Sequence, residues 1–228
     1  MNNSSSSQLL LPLPLDDQFR LDNFVAVDLP RRAALAALCS RPPVALLVGA
    51  PQSGLSHLLQ AFAAEQNGAI YLPLGQFAEF APNEVLAGLE DSSWLLLDDI
   101  DAVWNQPDWS EALFALYNVC RDKGVSWLSA SHMPLTENTP ELADLRSRLG
   151  SGLLFHWSSY SDLQLGELLI ERAARRGLTL TKELVNYLLS RLQRHPAALM
   201  RALERLDEHS LQTGRALTKP MAKEALGL

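Results

Sequence analysis

The sequence predicts an α/β core built on a five-stranded parallel sheet, followed by a small all-helical domain. Between residues 44 and 155, short apolar runs alternate with segments of helical spacing. Strands buried on both faces read as continuous apolar runs, and helices between them make the parallel crossovers. A glycine-bearing turn, Gly49-Ala-Pro-Gln-Ser-Gly54, joins the first run to the first helix, and from Ser161 onward only helical spacing remains.

Taken in order, residues 1 to 18 read as an extended tail. A serine run is followed by Gln8-Leu-Leu-Leu-Pro-Leu-Pro-Leu15 and Asp16-Asp17, and its prolines exclude a helix. The core is assigned to residues 19 to 158. Its strands are expected at Val44 to Val48, Ala69 to Leu72, Trp94 to Leu97, Val125 to Ser129 and Leu153 to Phe155. Helices are expected from Ser56 (Leu58, Leu59, Phe62 and Ala63 share a face), near Pro82 to Glu90, over Asp108 to Cys120 and over Glu141 to Leu149. Residues 159 to 228 form the helical domain, with helices at Asp162 to Arg175, Lys182 to Leu192, Ala197 to Gln212 and after Pro220; Gly177 and Pro196 punctuate them.

Composition narrows the function classes. The chain of 228 residues carries a formal charge of -7, so no global basic field draws it onto nucleic acid and strong direct DNA binding is not expected. No apolar run reaches the roughly 18 residues of a membrane span, and the first residues lack the positive charge of a signal peptide. Cys39 and Cys120 lie in apolar stretches without metal-ligand spacing and are expected as buried free thiols in a reducing compartment. A cytoplasmic protein with no resident metal is the expectation.

Residues Gly49 to Ser56 have the frame G-x-x-x-x-G-K-[ST] of a phosphate-binding loop, with Leu55 in place of the lysine. Glycines let the backbone wrap an anion at a helix N-terminus, the lysine neutralises the outer phosphates, and the hydroxyl, here Ser56, serves magnesium. Leu55 deletes the cation, and Pro51 removes one backbone donor. The third apolar run ends in Asp98-Asp99. At the C-terminal edge of a parallel sheet, Asp98 suits a metal-holding role and Asp99 the orientation of water. An acidic turn after a strand is common, so the pair gains weight only beside the upstream loop.

Phe19-Arg-Leu-Asp-Asn-Phe-Val25, the Gly49 to Leu59 loop and helix, the Leu95 to Asp99 strand and Asp144-Leu-Arg-Ser-Arg-Leu149 together resemble the AAA+ module related to the bacterial replication initiator DnaA. Length and ends resemble the small Hda-like members of that family, which lack the initiator's C-terminal basic DNA-binding domain. The resemblance runs from Phe19 to Leu228 and implies an AAA+ P-loop core with a helical lid.

It also implies site residues. Hda-like proteins carry an N-terminal motif for the DNA polymerase sliding clamp, of the form Q-L-[SD]-L-P-L; here Gln8, Leu9, Leu11, Pro12 and Leu13 match it, and Leu10 departs. A short peptide preset by proline loses little entropy on binding, with Leu11 and Leu13 as apolar anchors. Packing of this tail on its own domain is the plainer alternative. The resemblance assigns Arg148 to an arginine finger acting in trans on a partner's nucleotide; without it, Arg148 reads as a solvated helix-end arginine or a partner of Asp144. Two further positions depart from the family: Ala197 stands where a lid arginine senses nucleotide, with Arg194 and Arg201 within a turn, and Ser131-His132 stands at the polar sensor. His132 reads as a loop cap or a phosphate reader, while His57 and His156 show no triad or metal spacing.

What the resemblance implies is a negative regulator of replication initiation, tethered to the sliding clamp and through it to DNA, that stimulates hydrolysis of DnaA-bound ATP without needing turnover of its own. The rivals are a clamp-bound scaffold and a weak P-loop ATPase. The chain's own crevice either binds nucleotide feebly, holds ADP for structure or holds nothing, and a head-to-tail homo-oligomer is compatible with the arrangement.

Overall fold

A computed structural model describes residues 19–137 and 140–228. The chain forms a five-stranded, all-parallel sheet: β1 (Val44–Gly49), β2 (Ala69–Pro73), β3 (Trp94–Asp98), β4 (Ser126–Ser131) and β5 (Leu153–Trp157), in the order β2-β3-β4-β1-β5. The helices of this part are α1 (Leu29–Cys39), α2 (Leu55–Glu65), α3 (Pro82–Val85), α4 (Pro107–Lys123) and α5 (Ala143–Gly150). Four more follow: α6 (Asp162–Arg175), α7 (Lys182–Arg191), α8 (Pro196–Thr213) and α9 (Lys219–Leu226).

The chain divides into two compact units. One holds Ala34–Gly49, Leu55–Trp157 and the described residues up to Phe24; the other holds Val25–Ala33, Ala50–Gly54 and Ser158–Leu228. In the first, β1, β3 and β4 are wholly buried, and α2 packs on the sheet. Alternation along a strand sends Leu46, Val48, Leu95 and Leu97 to the other face, where they share a core with Trp109 and Leu113 of α4 and Leu145 and Leu149 of α5. β5 is an edge strand and leaves Leu153 and Leu154 exposed.

The second unit owes its helical part to one apolar cluster, in which Leu165, Leu169, Leu188, Leu199, Leu203 and Leu206 are fully buried. Its helix starts are capped as sequence chemistry demands. Ser161 and Gln164 form a capping box on α6, and Thr181, His195 and Thr218 accept from the first turns of α7, α8 and α9.

Three expectations need correction. Pro82 to Glu90 is not one helix: α3 stops at Val85 and a 3-10 turn follows at Leu89–Asp91, because Gly88 takes a left-handed φ of 79° between them. Helix α1 was not anticipated. Cys39 is the last residue of α1 and is exposed, whereas Cys120 is buried.

Gly152, just before β5, shows a close approach that sequence reading had not marked. A Cβ there would lie 2.4 Å from both the carbonyl oxygen and Cγ1 of Val44. Because one obstacle is backbone, Gly152→Ala must displace the β1–β5 pairing and is expected to cost about 1–3 kcal/mol. Urea unfolding checks this; an unchanged midpoint would contradict it.

Candidate functional site

The loop between β1 and α2 occupies the place the motif predicts. Gly54 has φ 97°, open to glycine alone without strain, and Gln52 is also left-handed at 66°. Ser53 N–H donates to the Ala50 carbonyl at 3.1 Å, closing a tight turn. Leu55 opens α2 and is only 2% exposed. An apolar side chain is therefore buried at the position from which a lysine would reach phosphate.

Sheet register brings the acid pair to the C-terminal edge of the strands. Asp98 pairs with Pro73 across β2–β3 and is 2% exposed. Its carboxylate accepts two bonds: from the Tyr71 hydroxyl at 2.8 Å and from the Asp99 N–H at 3.1 Å. Gln60 Nε2 donates to Tyr71 Oη at 3.4 Å. Burial, and then the neighbouring Asp99 charge, push the Asp98 carboxyl above the usual range, while Ser56 and Tyr71 oppose the rise. Burial and Asp98 push the Tyr71 phenol up in turn, so it keeps its proton and donates.

Asp99 sits in the left-handed region at φ 52°, facing Gly75, whose missing Cβ would otherwise lie 3.3 Å from Asp99 Oδ2. His132 meets it. The parallel register Val48↔Ser131 sets His132 beside Gly49. His132 Nε2 lies 3.2 Å from Asp99 Oδ1, Nδ1 lies 3.0 Å from the Gly49 carbonyl, and the His132 N–H donates to Asp101 Oδ1 at 3.1 Å. A carbonyl only accepts, and an ionised carboxylate only accepts, so this ring carries a proton on each nitrogen. The Asp99 hydrogen bond, aided by the Gly49 carbonyl and against desolvation, pushes its pKa up to about 9. His132 thus ties Asp99 to the root of the loop at Gly49.

A P-loop fold implies a nucleotide with magnesium, and these residues do not fit that pair. Position 55 offers no cation, position 51 offers no N–H, Asp98 has much of its acceptor capacity engaged, and Asp99 is matched by an imidazolium. Among the described residues, no group of three or more His, Cys, Asp or Glu is arranged to hold a metal ion.

In the second unit, the loop is fastened by a residue that sequence reading had passed over. Arg31 is fully buried. Its Nη1 pairs with Asp28 Oδ2, its Nη2 donates to the carbonyls of Ser53 (3.0 Å) and Ser158 (2.9 Å), and its guanidinium stacks 4.1 Å from the Tyr160 ring centroid. Gln164 of the α6 capping box donates to Asp28 at 3.1 Å.

Arg148 lies near the end of α5, exposed, on a helix held by the fully buried Leu145 and Leu149. No ion pair to Arg148 is found among the described residues, so the alternative of a partnership with Asp144 is not realised. In the lid, Ala197 lies in the first turn of α8, Arg194 pairs with Asp162 at 3.1 Å, and Arg201 is exposed. Gln8, Leu9, Leu11, Pro12 and Leu13 lie outside the described residues. No described helix is long and apolar enough to cross a membrane.

The Hda lid domain family matches residues 162–226. A Haemophilus influenzae protein described as "Uncharacterized protein" is 34% identical over 235 residues, covering 98% of this chain and 100% of the relative. Among solved structures, domain III of the Thermotoga maritima replication initiation protein DnaA superposes with a TM-score of 0.75 at 19% identity, over 94% of this chain and 98% of that one. AMPPCP-bound DnaA from Aquifex aeolicus does so with a TM-score of 0.70 at 21% identity, over 92% of this chain and 70% of that one. At these identities the structural likeness is one of fold.

Proposed function

The chain belongs to the Hda-like, DnaA-related AAA+ proteins, and from that premise we propose that it is a negative regulator of replication initiation that stimulates hydrolysis of DnaA-bound ATP. The observation that carries the reading is Arg148: an exposed guanidinium without an ion pair among the described residues, on a helix anchored by the buried Leu145 and Leu149, in a chain whose own loop lacks the phosphate cation. Presented to a partner's γ-phosphate, its planar fork of donors neutralises charge that develops in the transition state. Chemistry then takes place in the partner's site, and Leu55 is compatible with function.

Residues 8 to 13 supply the tether in this reading. A weak pair held on one clamp gains effective concentration without new contacts, and a clamp loaded on replicating DNA couples inactivation to replication. The acidic chain needs no DNA contact of its own. Whether ADP sits in the crevice is immaterial to the finger.

The test is the nucleotide state of DnaA, incubated with this protein with and without clamp-loaded DNA. Conversion of bound ATP to ADP is expected with the loaded clamp, falling when Gln8→Ala and Leu11→Ala are combined. Clamp capture without conversion would favour a scaffold and end the regulator reading.

A further inference from the structure

The acid pair and its neighbours form a closed network within the first unit, and its donors are protein groups throughout. Asp98 receives Tyr71 Oη–H and Asp99 N–H. Asp99 receives His132, whose other nitrogen is spent on the Gly49 carbonyl and whose backbone N–H is spent on Asp101. Gly75 leaves the space that Asp99 needs in its left-handed conformation.

A hard divalent cation demands several oxygen ligands in near-octahedral geometry and does not share them readily with protein donors. To enter here it must pull Asp98 from two hydrogen bonds and displace His132 from Asp99.

We infer that Tyr71 and His132 convert the acid pair from a divalent-cation site into a structural latch on the root of the loop, so that whatever phosphate ligand the crevice accepts is taken without magnesium. The latch involves only this chain's own crevice, and so it stands or falls separately from the finger and the tether. Tyr71 and His132 are positioning residues: they set the ionic preference of the crevice by acting on Asp98 and Asp99.

Manganese is the probe. Electron paramagnetic resonance of free Mn²⁺ titrated with the full chain, with and without ADP, is expected to show no loss of the free-ion signal. The Tyr71→Phe/His132→Asn double variant, with both carboxylates released, is expected to take up Mn²⁺, and adding Asp98→Asn to it should abolish the uptake. Stoichiometric Mn²⁺ binding by the unaltered chain overturns the inference, as does a folded double variant that takes up none. Should that variant fail to fold, ¹⁵N spectra of the native chain decide: the His132 ring resonances are expected to be unmoved by excess Mg²⁺, whereas a Mg²⁺-dependent shift overturns the latch.

Discussion

Arg148→Ala is expected to lower stimulated hydrolysis of DnaA-bound ATP by on the order of 10³- to 10⁵-fold, the range an arginine finger contributes. Fold stability should be unchanged, because the side chain is exposed and makes no ion pair with a described residue. Leu145 and Leu149, fully buried, hold α5 whether or not the guanidinium is present. Arg148→Lys separates charge from geometry. Lysine keeps the charge but loses the bidentate fork, so it should recover only a small part of the rate. Arg146→Ala, two residues away and also exposed, is the matching control and should retain most of it. Single-turnover conversion of radiolabelled ATP on DnaA, in the presence of clamp-loaded DNA, reads all three. An Arg148→Ala protein as active as the native chain would remove the finger from the mechanism and leave the tether alone.

Much of the fold was legible because it is written in apolar periodicity. Every expected strand is present with no end moved by more than two residues, since a buried parallel strand is a nearly pure apolar run with no polar face to blur it. Helix α1 escaped for the converse reason. Its buried positions run Arg31, Ala34, Leu38, so the stripe facing inward begins with a charge and continues with a methyl group. No count of apolar spacing registers such a face.

The acids of the candidate site were legible, but their partners were not. Asp98 and Asp99 stand at a strand end, where sequence reading looks for them. Tyr71 and His132 reach them only through the register of strands distant in sequence, Tyr71 from the adjacent β2 and His132 from beyond β4. A sequence shows that a tyrosine ends up somewhere on a strand; pairing decides that its hydroxyl meets a carboxylate.

Arg31→Ala is expected to cost about 3–5 kcal/mol, the usual penalty for breaking a buried ion pair from one side. The substitution does more than remove a charge. It strips the donors from the Ser53 and Ser158 carbonyls, leaves Asp28 with Gln164 and its own α1 N–H bond as remaining donors, and opens a void beneath the Tyr160 ring. An unsatisfied buried carbonyl carries its own desolvation penalty, so part of the loss persists even in Arg31→Lys, which keeps one charge but cannot reach three acceptors with a fork. Arg31→Met restores volume and discards the charge; it should fall between alanine and lysine if the polar bonds dominate, and match lysine if packing does. Because the contacts lie within the unit that holds the loop and α6, hydrogen exchange should quicken first at amides of the α6 first turn and of Ser53, ahead of those in β1 and β4. Chemical unfolding followed in parallel should show an early transition. An Arg31→Ala protein that unfolds at the native midpoint, with α6 protection intact, would mean that this buried arginine is tolerated by the fold and does not hold the loop.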